Sequence, residues 1–232
     1  MKVKSFSTSK YNQDRAEKLV QRLTEQPRSS KAGVMMNDLL AEFQLGYPLE
    51  NLRSLLHNED QDVANVGAWI ASELGTWGEQ LLPDVLPLLR HPSKNVRFSV
   101  IDCILLWATD GVELSAAIKL TEDSESSVRW KAMDFLSLAT KDQLQLALSY
   151  LEEVEPNSTH VRGLRWLLSP DASDAIKVKA ALQDENSLIR KYAVVAATRI
   201  SKTNREPLSY AASLTDPDVK NFAESGIRLL KD

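Results

Sequence analysis

The sequence predicts an all-α protein built from stacked two-helix repeats, and three observations carry that expectation. An aliphatic residue followed by a basic one recurs as Val96-Arg97, Val128-Arg129, Val161-Arg162, Ile189-Arg190 and Val219-Lys220. The aliphatic members are thus evenly spaced along the chain, and Val63 extends the series backwards without a basic neighbour. A period of roughly 30 residues marks an architecture in which no single unit buries its own apolar face. Each pair also sits between two amphipathic stretches separated by polar turn residues, and no run alternates with the period of two that a half-buried strand requires.

The elements follow in order. Arg15–Leu23 and Ala32–Phe43 read as two helices of a divergent N-terminal cap, residues 1–48. From 49 to 232 one continuous domain of repeats is expected. The first helix of each repeat falls on Leu49–Leu56, Gln80–Leu89, Val112–Leu120, Gln143–Leu151, Ala172–Leu182 and Pro207–Leu214. The second begins at the aliphatic–basic pair. Val96, Val100, Ile101, Ile104 and Leu105 form one apolar stripe, and Val128, Ala132, Met133, Phe135 and Leu136 form the next. Between the helices lie His91-Pro92-Ser93, Asp123-Ser124-Glu125-Ser126, Glu155-Pro156-Asn157-Ser158, Asp184-Glu185-Asn186-Ser187 and Asp216-Pro217-Asp218. Such Ser, Asp and Asn residues end one helix and N-cap the next. Gly75-Thr76-Trp77-Gly78 separates two repeats.

Composition bounds the function. The chain of 232 residues is 43% hydrophobic, enough for a core. It lacks an apolar run near the roughly 18 residues that span a bilayer. Its basic first ten residues contain no apolar segment of a secretion signal. Cys103 is the one cysteine, which excludes an internal disulfide framework and fits a reducing compartment. A cytoplasmic protein, monomeric by default, is therefore expected. The net charge of -4 is unevenly spread. Residues 1–31 hold eight basic and three acidic residues, a net of +5, and 32–232 hold 20 basic and 29 acidic, a net of -9. An acidic body repels phosphate backbones and steers in basic partners, so nucleic acid is not the expected partner.

The segments Leu214-Thr-Asp-Pro-Asp-Val-Lys220 and Leu182-Gln-Asp-Glu-Asn-Ser-Leu-Ile-Arg190 resemble short HEAT repeats: leucine, aspartate, a turn, then Val-Arg at the start of the second helix. The resemblance covers about 49–230 in six units, or six to seven with the cap, and implies a right-handed α–α superhelix. It also implies a ladder in which a turn aspartate bonds the arginine of a neighbouring repeat. Asp123 with Arg129 and Asp184 with Arg190 have that spacing. His91 before Arg97 and Pro156 before Arg162 replace the aspartate, so the ladder is expected to break there. The arginine column is thus read as structural.

Chemistry-bearing motifs are sparse. His57, His91 and His160 form no HxxxH pair and have no cysteine partner. There is no glycine-rich phosphate loop and no Gly-x-Ser-x-Gly elbow. Cys103 reads as a buried small hydrophobe. No cofactor or metal and no catalytic residue is expected. Trp130 and Asp134, four apart on one helix, with Arg165-Trp166 in the next repeat, are similar to the site of HEAT-like alkylpurine DNA glycosylases. There an aromatic stacks on the lesion and a carboxylate supports the cationic sugar. The acidic body and the absence of the rest of that motif argue the other way.

The resemblance implies a protein-binding role instead. In HEAT arrays the second helices line the concave face, with residues three and six beyond the repeat valine turned into it. This places Trp69, Ser99, Asp102, Lys131, Asp134, Tyr192 and Phe222 on that face, with Trp130, Arg165 and Trp166 beside them. Trp107 is assigned to the core between repeats. Aromatics mixed with carboxylates suit a basic protein partner with apolar anchors. A bacterial immunity protein that neutralises a basic toxin fits by size and acidity, and a general scaffold or adaptor is the alternative.

Overall fold

Side-chain caps start many of the helices, at Ser158, Asn186 and Asp216 in turns that the sequence places and at Asp174 inside the expected helix Ala172–Leu182. Asp60, Asp110, Thr140, Ser158, Asp174, Asn186 and Asp216 each accept a hydrogen bond from a backbone N–H of the turn they open. Thr140 and Gln143 complete a reciprocal capping box, which satisfies two of the donors that a helix start leaves orphaned. The structure, a computed structural model, describes residues 11–230. The basic stretch 1–10, part of the charge count above, and the last two residues lie outside it. Among the described residues there are fourteen α-helices and no strand. The protein is an all-α helical-repeat solenoid, as the periodicity predicts.

The chain clusters into two compact units that divide between Trp107 and Ala108. This division falls inside the 49–232 body that the sequence reads as continuous. The first unit holds α1 (Gln13–Glu25), α2 (Ala32–Gln44), α3 (Glu50–Leu56), α4 (Gln61–Glu73), α5 (Leu82–Val85) and α6 (Lys94–Trp107). The second holds α7 (Gly111–Lys119), α8 (Ser126–Leu138), α9 (Lys141–Val154), α10 (Thr159–Leu167), α11 (Ala175–Ala181), α12 (Ser187–Ile200), α13 (Glu206–Ala211) and α14 (Pro217–Leu229).

In the first unit α3 packs on α4 and α4 on α6. A Cβ at Gly67 of α4 would come within 2.7 Å of the Leu56 backbone nitrogen, so glycine is what allows this close approach of two helices. The expected helix Gln80–Leu89 is instead a 3-10 turn (Gly75–Leu81), the four-residue α5 and a second 3-10 turn (Leu86–Arg90). Pro83 and Pro87 stand four apart, and Pro87 has no N–H to donate to the carbonyl of residue 83. Trp107 is buried, as expected for core, and its Nε1 donates to the Gly75 carbonyl at 2.6 Å. Its ring lies on Gly78, where a Cβ would approach to 2.3 Å.

In the second unit α7 packs on α9 and α8, and α9 on α10. The second helices then depart from simple succession. α8 lies against α12 and α14, while α10 packs on α9 and α12. Polar contacts between residues far apart in sequence hold this arrangement. Arg129 of α8 binds the Asp218 carboxylate of α14 through Nε and Nη2, at 2.7 and 2.9 Å. Lys191 of α12 donates to the Thr121 carbonyl at 2.7 Å and lies 3.4 Å from Asp218. At the other end of α8, Arg199 of α12 donates to the carbonyls of Leu136, at 2.9 Å through Nη2, and Ala139.

Candidate functional site

The arginine column is structural: Arg190 and Arg162 meet the turn aspartate of a neighbouring repeat, as expected. Arg190, like Arg129 and Arg97, also makes a bond that was not expected, to main-chain carbonyls of its own turn. Arg129 Nη1 donates to the carbonyls of Asp123 and Ser124, and Arg190 Nη1 to those of Asp184 and Glu185. The arginine thus ties down the carbonyls of the turn that precedes its own helix, while the Asp123 and Asp184 carboxylates accept from backbone N–H groups two residues on. Because the acceptors are main-chain oxygens, His91 does not break the pattern: Arg97 Nη1 donates to the carbonyls of His91 and Pro92 at 2.8 and 3.0 Å. The carboxylate rung comes from the following repeat. Arg190 binds Asp216 at 2.6 Å, and Arg162 lies 3.7 Å from Asp184. Arg129 meets Pro156 in its following repeat, has no rung there, and takes Asp218 instead, far along the chain in α14.

Trp130 is half-buried, and its Nε1 donates to Asp218 Oδ1 at 3.1 Å. Burial pushes the Asp218 carboxyl up, but Arg129 and Lys191 outweigh it and hold the group below the ordinary carboxylate range. The indole expected to face a ligand is engaged within the fold.

Burial divides the residues of the expected inward register into two sets. Positions six beyond the repeat valine reach solvent in α4, α6 and α8: Trp69 and Asp102 are half-buried and Asp134 is exposed, while Leu167 and Val195 are buried. At positions three beyond, Ser99 is buried, Tyr192 is fully buried and Phe222 is 5% exposed, so these three are core and cannot meet a partner. Lys131 is half-buried, and Arg165 is exposed and bound to Glu152 at 2.7 Å, with Trp166 half-buried beside it. The outward partner of position six is position two, four residues earlier on the same helical face. α6 therefore presents Phe98, Asp102 and Leu106, and α8 presents Trp130, Asp134 and Leu138. Leu106 is 50% exposed and Leu138 68%. The aromatic–aspartate–leucine series at four-residue spacing was present in the sequence, twice and one repeat apart, and the register taken from the resemblance passed over it. α4 carries Asn65, Trp69 and Glu73 at the same positions. In α12 the same positions are Lys191, Val195 and Arg199; Lys191 and Val195 are buried, Lys191 binds the Thr121 carbonyl in the 3-10 turn before α8, and Arg199 binds the carbonyl end of α8.

Burial pushes the Cys103 thiol far up from its ordinary value, as for a packed hydrophobe. Among the described residues no group of three or more His, Cys, Asp or Glu is placed to hold a metal ion. Among them, too, no helix is long and apolar enough to cross a membrane.

No family model matches the chain, and no curated protein matches it. Among solved structures, it is similar to an engineered protein from the Northeast Structural Genomics Consortium, with a TM-score of 0.47 and 16% identity over 93% of this chain and 96% of that one. It is also similar to a designed armadillo repeat protein, with a TM-score of 0.43 and 15% identity over 96% of each chain.

Proposed function

We propose that the chain is a non-enzymatic protein-interaction module that binds a basic protein through the outward rows of its second helices. The observation that carries this reading is the repeated series Phe98–Asp102–Leu106 and Trp130–Asp134–Leu138. A large apolar side chain left half or more exposed, next to a carboxylate, on an outward helix face, is an anchor point for an apolar and cationic partner. The net charge of -9 over residues 32–232 adds long-range attraction for such a partner. The finer reading is an immunity protein that covers a basic nuclease toxin. Trp130, tied to Asp218, favours this over a DNA glycosylase, which would need that ring free to stack on a base. Titration against a basic nuclease domain encoded by the adjacent gene tests the reading. Binding should weaken about tenfold or more in Leu106→Ala or Leu138→Asp. An unchanged affinity in both would remove these rows as the binding surface, and no binding or growth rescue by the parent chain would end the immunity reading.

A further inference from the structure

α10 meets α12 through a buried polar contact. His160, in the first turn of α10, is buried, and its Nδ1 lies 3.1 Å from the Tyr192 hydroxyl of α12, itself fully buried. There is no slack between the two helices. A Cβ at Gly163, one turn on, would come within 2.3 Å of the Tyr192 ring. On the other side of the imidazole, Nε2 lies 3.0 Å from Glu122 Oε2, at the end of the 3-10 turn Leu120–Glu122. Glu122 approaches from the solvent side, and Nε2 is buried without a well-formed hydrogen bond.

The neutral ring that leaves fewest groups unpaired carries its proton on Nε2, facing the carboxylate, and accepts the Tyr192 O–H at Nδ1. A second proton must go on Nδ1. The Tyr192 hydroxyl must then turn its hydrogen away from the ring and give up that bond. The other charges around the ring do not supply a buried counter-ion. Glu122 is 59% exposed at its side chain, so water screens it. Lys119, at the end of α7, and Glu155, just past α9, pair with each other at 2.5 Å. Lys191 of α12 points to Thr121 and Asp218. On α10 itself, Arg162 lies beside Asp184 and Arg165 binds Glu152.

We propose that protonation of His160 loosens α10 from α12, so that this one repeat opens in mild acid. Burial, the largest influence, also holds the His160 pKa below its ordinary value, against the upward pull of Glu122. Because the folded value is depressed, the contact is fully stable above the free-histidine pKa of about 6.5 and weakens as pH falls below it. The inference goes beyond partner binding and does not depend on it. Arg165 and Trp166 ride on the same helix, so any contact they make would move with it.

Two measurements on the full chain test it. Proton NMR should give His160 a pKa below about 6.5. Hydrogen exchange, corrected for intrinsic rates, should show the protection of α10 amides falling by up to about tenfold between pH 7.5 and 5.5, the limit for one linked proton. His160→Gln should flatten that fall. A His160 pKa at or above the free value, or a fall that persists in His160→Gln, would overturn the proposal. If His160→Gln does not fold, Glu122→Gln decides: it should lower the His160 pKa further, and a rise would count against the device.

Discussion

At the scale of single residues, the fold turns on charges placed where water is scarce. Asp218 is the acceptor for Arg129, Trp130 and Lys191 at once, and its side chain and those of Arg129 and Lys191 are only 10%, 20% and 9% exposed. Removing one member of such a group leaves the others buried and uncompensated. Asp218→Asn, which keeps the shape and deletes the charge, should cost about 3 kcal/mol in urea unfolding. Its acid behaviour has a definite sign. The folded pKa of Asp218 is depressed, so its contribution is present above the unfolded value near 3.8 and is lost as pH falls through the folded value. The variant should therefore lose less stability than the parent when pH is lowered through that range. No local rule pointed to Asp218: its partners Arg129 and Trp130 lie three repeats earlier in the chain, and sequence spacing alone cannot pair groups at that distance.

At the scale of elements, the helix starts were legible and the helix faces were only partly so. Starts are set by local chemistry, a side-chain oxygen reaching a backbone N–H two or three residues on, and Asp110, Ser158 and Asn186 act as their types predict. Prolines act locally too, and the broken segment 75–90 follows from Pro83 and Pro87. Faces depend on what packs against them. Two glycines separate the cases. Gly67→Ala pushes a methyl into the α3 backbone at 2.7 Å and should destabilise by about 1–3 kcal/mol. Gly33→Ala, with nothing within 4 Å of the new atom, should be neutral or stabilise by about 0.5 kcal/mol, through helix propensity alone. Thermal melts of the two variants check both. Equal effects would mean that α3 and α4 are not in the close contact described. The burial of Ser99, Tyr192 and Phe222 has the same origin: three residues past the repeat valine turns these side chains towards neighbouring helices, whereas two and six past are at least partly exposed in α6 and α8 but buried in α12, at Lys191 and Val195.

At the scale of the molecule, the acidic charge of the 32–232 body should govern how a partner arrives. Raising salt from about 0.05 to about 0.5 M should slow association with a basic partner far more than it speeds dissociation, because screening acts on the long-range field. Stopped-flow measurements at the two salt concentrations check this, and an association rate indifferent to salt would remove charge from the account. The repeat period, the cap residues and the charge balance are properties of the chain alone, so sequence by itself determined the all-α repeat class, the order of the helices and the structural role of the arginine column. Tertiary structure decided which face of each helix is left to a partner. In the second unit α8 packs on α12 and α14, and this follows from no local preference. Pro156 stands where the sequence would need a rung for Arg129, and the half-buried Arg129 guanidinium binds Asp218 of α14 instead.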